Sequence, residues 1–195
     1  KNDVDFVLTT RELAKLIKSY SIDFLNLKAS PFDAPFGIST GAAAIFGTSG
    51  GLMEAALRTA YELLTEKKLE AIDFKMVRGL TGTKEATIEI LDQKINVAIV
   101  SGLENAKQLL ENKEKYHFIE IMACPGGCLN GGGQPLHTDQ QVLNQRMEGI
   151  YSIDQKRSIR RSHENPAIKE LYSKFLIKPL SEKSHELLHT KYNER

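Results

Sequence analysis

Residues 95–135 read INVAIVSGLENAKQLLENKEKYHFIEIMACPGGCLNGGGQP. Two apolar runs typical of β-strands, 95–100 and 116–122, flank a segment with a helical pattern over 104–112. This order predicts a βαβ crossover, in which the two strands lie parallel. The second strand then ends just before Cys124, at the carboxyl edge where open α/β sheets usually bind their ligands.

The residues before this unit predict further elements. Alternating apolar residues over 4–8 are typical of a β-strand, and Thr9 followed by Glu12 is a capping-box pattern at the start of a helix. Pro and Gly residues punctuate 29–51 and predict a long irregular connection. The apolar stripe over 51–67 is wider than one narrow face, so it predicts a mostly buried helix.

The sheet is predicted to gain another strand over 86–91, whereas the residues after Pro135 show no strand pattern. Helix-compatible segments follow at 138–156, 166–176 and 181–189. We therefore expect an α/β fold with a partly parallel sheet, flanking helices and a helical C-terminal tail. Residues 1–135, with the glycine-rich loop 122–135, should form the α/β part, and residues 136–195 the tail.

Composition excludes some classes of partner. The 195 residues are 41% hydrophobic and carry a net charge of +1 without a long basic run, so we expect neither nucleic acid nor an anionic membrane as the main partner. No apolar stretch approaches the ~20 residues that cross a bilayer, which predicts a soluble protein without a membrane span. The chain starts without Met or a leader, and we expect it to be the later part of a longer protein, or a subunit.

Both cysteines, Cys124 and Cys128, lie in the glycine-rich loop. Two cysteines in a chain of this length are not a disulfide framework of the kind small secreted domains use. Thiolates suit iron-sulfur clusters, zinc or copper, and two of them four positions apart can reach one metal centre. A structural turn with two packed thiols, or a reversible disulfide, is equally compatible with this spacing.

The loop also holds five of the chain's 14 glycines. Glycines such as Gly126 and Gly127 let backbone N–H groups approach the sulfides of a cluster. A cubane or a structural zinc site needs four ligands, and His117 and His137 are more typical of hydrogen-bonded surface or capping residues. Two ligands are therefore expected from outside this chain.

Several motifs resemble, in the same order, the catalytic domain of the iron-only hydrogenases, the FeFe-hydrogenases. The most specific is MACPGGCLNGGGQP at 122–135, which is similar to the last cysteine motif of that domain. The others are VDFVLTTREL, STGAAAIFGTSGGLMEAALRTAYE, VRGL, YHFIEIM, IYSIDQKRSIRRSHENP and LLHTKY. The resemblance covers essentially the whole chain but only the later half of the catalytic domain, one lobe of its fold, and the cysteines of the earlier motifs have no counterpart here.

This resemblance implies an H-cluster, in which a 4Fe-4S cubane joins a two-iron subcluster bearing CO, CN and a bridging dithiolate amine. Cys124 would ligate the cubane, and Cys128 would be the thiolate shared between the cubane and the two-iron unit. Met122 and Phe46 match family residues that line the two-iron pocket, although plain core packing suits Phe46 equally well. The implied catalytic residues are Cys128, Met122 and Phe46, and the implied cluster-binding residues are Cys124, Cys128, Gly126 and Gly127.

The activity implied by the resemblance is the reversible interconversion of protons plus electrons with molecular hydrogen. It would require the preceding half of the catalytic domain or a partner subunit. An electron carrier such as ferredoxin or an NADH-linked subunit, and maturation proteins, are the other implied partners. Reduced thiols and the missing leader predict a cytoplasmic location, or a periplasmic one if a preceding segment carries a signal.

Two other functions stay open. A hydrogenase-like relative could hold only an iron-sulfur cluster and act in assembly or sensing. The isolated chain could also be an inert lobe that exposes an apolar face where it meets its missing half. The Gly-Gly-Gly-Gln-Pro run, the Ala-Ile-Phe-Gly motif and Met122 favour the enzyme, since assembly-type relatives do not need a two-iron pocket.

Two smaller expectations concern residues outside the loop. Arg160, Arg161 and His163 are expected to form a salt-bridged helix boundary rather than a catalytic group. Ala43 replaces a glycine that many family members carry, and a methyl group should be tolerated at that position.

Overall fold

A computed structural model of the protein describes residues 4–34, 36–70, 73–80, 82–136 and 139–190. Its centre is a mixed sheet of three strands in the order β1-β2-β3, formed by β1 (Thr83–Ile90), β2 (Gln93–Ser101) and β3 (Phe118–Met122). This confirms the predicted α/β class with a partly parallel sheet.

The sheet combines a hairpin with a crossover. β1 and β2 are antiparallel, and the two residues between them, Leu91 and Asp92, both have positive φ, at 50° and 60°, as tight hairpin turns require. β2 and β3 are parallel, with Val97 opposite Phe118, and helix α4 (Leu103–Leu110) connects them. The predicted βαβ crossover is therefore confirmed.

The remaining helices are α1 (Thr10–Ser19), α2 (Gly41–Ala44), α3 (Gly51–Thr65), α5 (Gln140–Lys156), α6 (Pro166–Leu171) and α7 (Glu182–Leu188). The longest of these are α3, which packs on the sheet, and α5, which packs on α2. The predicted capping box is present, with Thr9 accepting from the Glu12 amide. The predicted helical tail is confirmed, and α6 continues into a π-helical turn at Tyr172–Leu176. None of the helices in the described residues is long and apolar enough to cross a membrane.

Strand β2 is buried on both faces, as strands in α/β layers commonly are. Val97 and Ile99 pack with Met53 and Leu57 of α3 on one face, whereas Ala98 and Val100 pack with α4 on the other. A separate cluster joins Tyr151 of α5 to the α2–α3 region. The sheet therefore sits between two helix layers, and the tail packs on the outer side of α3.

One prediction near the N-terminus needs correction. Residues 4–8 form no strand, because they lie exposed with no neighbouring strand to bond. Helix α3 is mostly buried, as predicted, and only Leu63 and Leu64 near its C-terminal end are exposed. The connection over 29–51 is irregular up to Thr40, as predicted, but then forms α2 and a 3-10 turn at Ile45–Gly47.

A buried ion-pair cluster holds α3 to the tail. Arg58 is fully buried, and its two terminal nitrogens donate to the two carboxylate oxygens of Asp154 at 2.9 and 2.8 Å. Glu54 accepts from Arg58 at 2.7 Å and from Arg78 at 2.7 Å, and Arg160 bonds Asp154 at 2.6 Å. With Asp73, which pairs with Arg160 at 2.8 Å, the cluster balances three cations against three carboxylates.

Replacing Asp154 with Asn should lower the free energy of unfolding by about 3 kcal/mol, because it leaves the Arg58 charge buried without its main partner. Urea denaturation would measure this loss. The matched control is Lys174→Ala, which removes the exposed pair with Glu170 and should cost less than about 1 kcal/mol. Equal effects of the two variants would contradict a structural role for the buried cluster.

The same variant should show a defined pH dependence. Burial alone would raise the pKa of Asp154, but hydrogen bonds from Arg58 and Arg160 hold that pKa below its usual value. The ionised carboxylate therefore stabilises the fold above about pH 4. This stabilisation is lost as the pH falls below that value and the carboxylate becomes protonated. The stability difference between the wild type and Asp154→Asn should shrink in the same acid range.

Candidate metal centre

The two thiols lie on one loop directly after β3, at the carboxyl edge of the sheet. Cys124 is partly buried, and Cys128 is exposed within a 3-10 turn at Gly127–Asn130. Both border an open cavity of about 290 Å³, whose other lining residues are Met122, Ala123, Gly127, Gly131, Gly132, Gly133 and Gln134. The predicted thiols and most of the loop glycines thus surround one cavity.

The loop can adopt this shape because glycines lie between the cysteines. Gly126 and Gly127 both have left-handed φ values, +78° and +79°, which suit glycine. A Cβ atom on Gly127 would lie 2.7 Å from the sulfur of Met122 and 2.9 Å from the Ser49 amide nitrogen. Gly127 is therefore required at this point, because its backbone passes closer to its neighbours than any side chain allows.

Three side chains or backbone groups from other elements hold the outer part of the loop. Arg146 of α5 donates to the Leu129 carbonyl at 2.8 Å. Arg11 of α1 donates to the Gly132 carbonyl at 3.1 Å, and its backbone amide donates to the Gly133 carbonyl at 3.2 Å. Hydrogen bonds thus connect the loop to α1 and α5, in addition to its covalent connection to β3.

The inner part of the loop is positioned through β3. Glu120, two residues before Met122, is buried and accepts from the backbone amides of Gly50 and Met53, each at 2.7 Å. These amides are at the N-terminus of α3, where no other side chain provides a cap. Glu120 therefore fixes the start of α3 against the strand that carries the thiol loop.

A partly buried lysine lies close to this carboxylate. Lys84 of β1 donates to the carbonyls of Gly79, Val77 and Ser49 at 2.7, 3.0 and 3.2 Å. Burial lowers the pKa of Lys84 to about 8, against the opposing effect of Glu120. Burial likewise raises the pKa of Glu120, against the two backbone amides and Lys84. Both groups hold backbone around the start of α3 and the cavity wall.

The two residues expected to line the pocket differ in their positions. Met122 lines the cavity. Phe46 lies on the 3-10 turn Ile45–Gly47, which packs against the turn that carries Cys128. Its side chain is 45% exposed and is not among the residues that line the cavity in the described part of the chain.

The charged residues near 160 have the structural role that was expected. Arg160 pairs with Asp154 and Asp73, and Arg161 and His163 both pair with Glu62. The backbone amide of Asn96 donates to the Nδ1 atom of His117, so that histidine is a hydrogen-bonded residue at the sheet edge. His137 lies outside the described residues.

The chemistry of the donors fits part of an iron-sulfur site. Two thiols face a cavity with glycine-rich walls, and soft thiolates are the usual ligands of iron-sulfur clusters. Within the described ranges, no group of three or more His, Cys, Asp or Glu side chains could hold a metal ion. A cubane held here therefore needs ligands from outside these residues.

Sequence reasoning missed the residues that position the loop. Glu120 had a visible signal, since a carboxylate between two isoleucines in a predicted strand is unusual at a buried position. Arg11, Arg146 and Lys84 had none, because their partners are backbone carbonyls, which no residue type in the sequence marks.

Comparison with known families shows which proteins the chain is similar to. Residues 1–132 match the family described as "Iron only hydrogenase large subunit, C-terminal domain", and residues 140–195 match "Iron hydrogenase small subunit". The chain belongs to the iron-only hydrogenase family. Its predicted resemblance is confirmed, and so is the expected fold of that catalytic domain.

Individual relatives include both enzymes and an assembly protein. The chain is 54% identical over 197 residues to the NADP-reducing hydrogenase subunit HndD of Solidesulfovibrio fructosivorans, covering 99% of this chain and 34% of that protein. It is 31% identical to cytosolic iron-sulfur assembly component 3 of Mus musculus, covering 98% of this chain and 41% of that protein. The structure of FeFe-hydrogenase HydA1 from Chlamydomonas reinhardtii is similar with a TM-score of 0.74 and 40% identity, over 97% of this chain and 55% of that one. The chain thus spans about a third to a half of these proteins.

Replacing Gly127 with Ala should lower the free energy of unfolding by about 1–3 kcal/mol, because the methyl group meets Met122 and Ser49 and the left-handed φ disfavours alanine. The alkylation rate of Cys128 should change as the turn shifts. Gly132→Ala is the control from the same loop, because a Cβ atom there meets nothing within 4 Å. Identical behaviour of the two variants would disprove the proposed tight packing at Gly127.

Replacing Glu120 with Gln should cost about 1–3 kcal/mol of stability, since an amide cannot accept both backbone N–H groups as the carboxylate does. Amide hydrogen exchange at Gly50 and Met53 should speed up more than exchange in the centre of α3. The control is Glu89→Gln on an exposed position of β1, which should leave these amides unchanged. Unchanged exchange in Glu120→Gln would rule out the capping role.

Proposed function

We propose that this chain is part of an FeFe-hydrogenase and takes part in the reversible conversion of protons and electrons into molecular hydrogen. The observation that carries the proposal is that Cys124 and Cys128 line one glycine-rich cavity, on the loop that directly follows the parallel strand β3. The chain's greater identity to a hydrogenase subunit, 54%, than to an assembly component, 31%, also favours the enzyme.

In this proposal the chain supplies two of the thiolates of an H-cluster. Cys124 would ligate a 4Fe-4S cubane, and Cys128 would be the thiolate shared with a two-iron subcluster that carries CO, CN and a bridging dithiolate amine. When bound, the H-cluster would supply the redox chemistry of hydrogen conversion. Gly126 and Gly127 keep side chains away from the cluster, so that backbone can approach it.

The other residues near the cavity either exclude water or hold the thiol loop in position. Met122 presents an apolar thioether to the cavity, and Phe46 would shield the same side once the cluster and the remaining chain are in place. Apolar walls exclude water from a metal centre and thereby influence its potential and the basicity of nearby groups. Glu120, Arg146 and Arg11 hold the loop without contacting the cluster.

The remaining ligands come from the preceding half of the catalytic domain or from a partner subunit. Residues 1–135, with the loop 122–135, then act as the cluster-binding part, and residues 136–195 as the helical segment of the same domain. The other partners would be an electron carrier, either ferredoxin or an NADH-linked subunit, and maturation proteins for the two-iron unit. We place this reaction in the cytoplasm, or in the periplasm if a preceding segment carries an export signal.

A second candidate function is a non-catalytic role in iron-sulfur assembly. The observation that favours it is the 31% identity to an assembly component over 98% of this chain. In that role the loop would hold an iron-sulfur cluster without a two-iron unit, and no hydrogen chemistry would follow. A sensory role or an inert lobe differs from the enzyme in the same measurable property, hydrogen turnover.

The test is reconstitution of this chain with the complementary half of the catalytic domain, anaerobically, followed by iron, sulfide and a synthetic two-iron unit. We expect infrared bands of bound CO and CN, and hydrogen evolution from reduced viologen. Cys128→Ser should abolish both the bands and the turnover, and Cys124→Ser should lower the iron content.

The matched control is Ser173→Ala, which removes an exposed hydroxyl far along the tail and should leave hydrogen evolution unchanged. A loaded cubane with CO and CN bands but no hydrogen evolution would contradict the enzyme and leave sensing. A loaded cubane without those bands would favour the assembly role.

A further inference from the structure

Helix α7 in the tail carries a histidine pair that the thiol site does not use. Residues 185–189 read HELLH, so His185 and His189 are four positions apart. On a helix this spacing places two side chains on one face, one turn from each other. It is also the spacing with which helices present two imidazoles to a single metal ion.

The structure brings the two rings together. Their centroids are 4.3 Å apart in an edge-to-face arrangement, and both residues are exposed. His189 follows the last residue of the helix, but its backbone amide donates to the His185 carbonyl at 3.1 Å. That bond keeps His189 above His185 in helical register.

Within the described part of the chain, the ring nitrogens of this pair make no hydrogen bonds. Among the residues that the structure describes, no hydrogen bond or ion pair involves either ring. The other two described histidines differ, since His117 accepts from the Asn96 amide and His163 bonds Thr59 and Glu62. The pair on α7 therefore has four ring nitrogens without protein partners in the described chain.

The local charge favours a cation at this position. The carbonyl groups at the C-terminal end of a helix carry partial negative charge, and His185 lies in the last turn of α7. The nearest lysine on the helix, Lys183, has its ammonium group over the ring of Phe175 at 3.6 Å. Glu182 and Glu186 add two exposed carboxylates to the same short helix.

We propose that His185 and His189 together bind one divalent transition-metal ion of the class that prefers imidazole, Ni²⁺, Cu²⁺ or Zn²⁺. Water molecules complete the coordination, because no third His, Cys, Asp or Glu in the described residues converges on the pair. This is a binding site rather than a zinc-protease centre, which uses three protein ligands. The bound ion joins His185 in the last turn of α7 to His189 just after the helix. It thereby stabilises the C-terminal end of α7.

Nickel is the probe for the test, because its paramagnetism broadens NMR signals of nearby nuclei. The titration uses the full chain carrying Cys124→Ser and Cys128→Ser, so that the thiols do not compete for the metal. We expect the ring signals of His185 and His189 to broaden at lower Ni²⁺ concentrations than those of His117 and His163. Hydrogen exchange of the α7 amides should slow when Zn²⁺, which is diamagnetic, replaces Ni²⁺.

Single replacements separate a two-histidine site from one-histidine binding. His185→Gln and His189→Gln should each weaken Ni²⁺ binding by at least about tenfold, since loss of a direct ligand should cost no less than loss of a group that supports one. His117→Gln is the matched control and should leave the affinity unchanged. Equal broadening of His117, His163, His185 and His189, or an unchanged affinity in either single variant, would overturn the proposal.

Discussion

The buried guanidinium of Arg58 is the group on which the arrangement of the chain depends. It has no exposed surface, so its charge is tolerable only while Asp154 and Glu54 bond it. Asp154 belongs to α5 and Glu54 to α3, and the pair therefore forces the tail helix against the helix that covers the sheet. The surrounding charges of Asp73, Arg78 and Arg160 leave the cluster neutral. The orientation of α3 follows from this cluster.

The thiol loop takes its position from α3 and from its own glycines. Glu120 bonds the N-terminal amides of α3, which fixes the end of β3 and hence the start of the loop. Arg146 extends this support from α5 to the Leu129 carbonyl. A binding site is most precise when rigid elements and their supporting contacts define it. Here the two thiols belong to a loop, but hydrogen bonds with Arg11 of α1, Arg146 of α5 and Ser101 at the end of β2 hold that loop in place.

The N-terminal residues, in contrast, are largely exposed. Helix α1 has no buried residue, and Phe6, Val7 and Leu25 are 86%, 88% and 93% exposed. An apolar surface of this extent is characteristic of a region that contacts another protein segment. This agrees with the expectation that such a lobe exposes an apolar face. The same residues explain why 4–8 is not a strand, since a strand needs a neighbour to receive its backbone bonds.

Sequence alone determined the secondary-structure elements whose formation depends on residues close together in the chain. The helical pattern of 51–65, the Thr9 capping box and the parallel strands around α4 could be predicted, because period, caps and crossover rules are local. The thiols and the glycines between them were equally visible in the printed sequence. Tertiary structure decided the rest. Asp154 meets Arg58 across 96 positions, and Glu120 meets Gly50 across 70. No local sequence pattern identifies such partners. They come together only when the helices pack, and they pair because an unpaired buried charge would destabilise the fold.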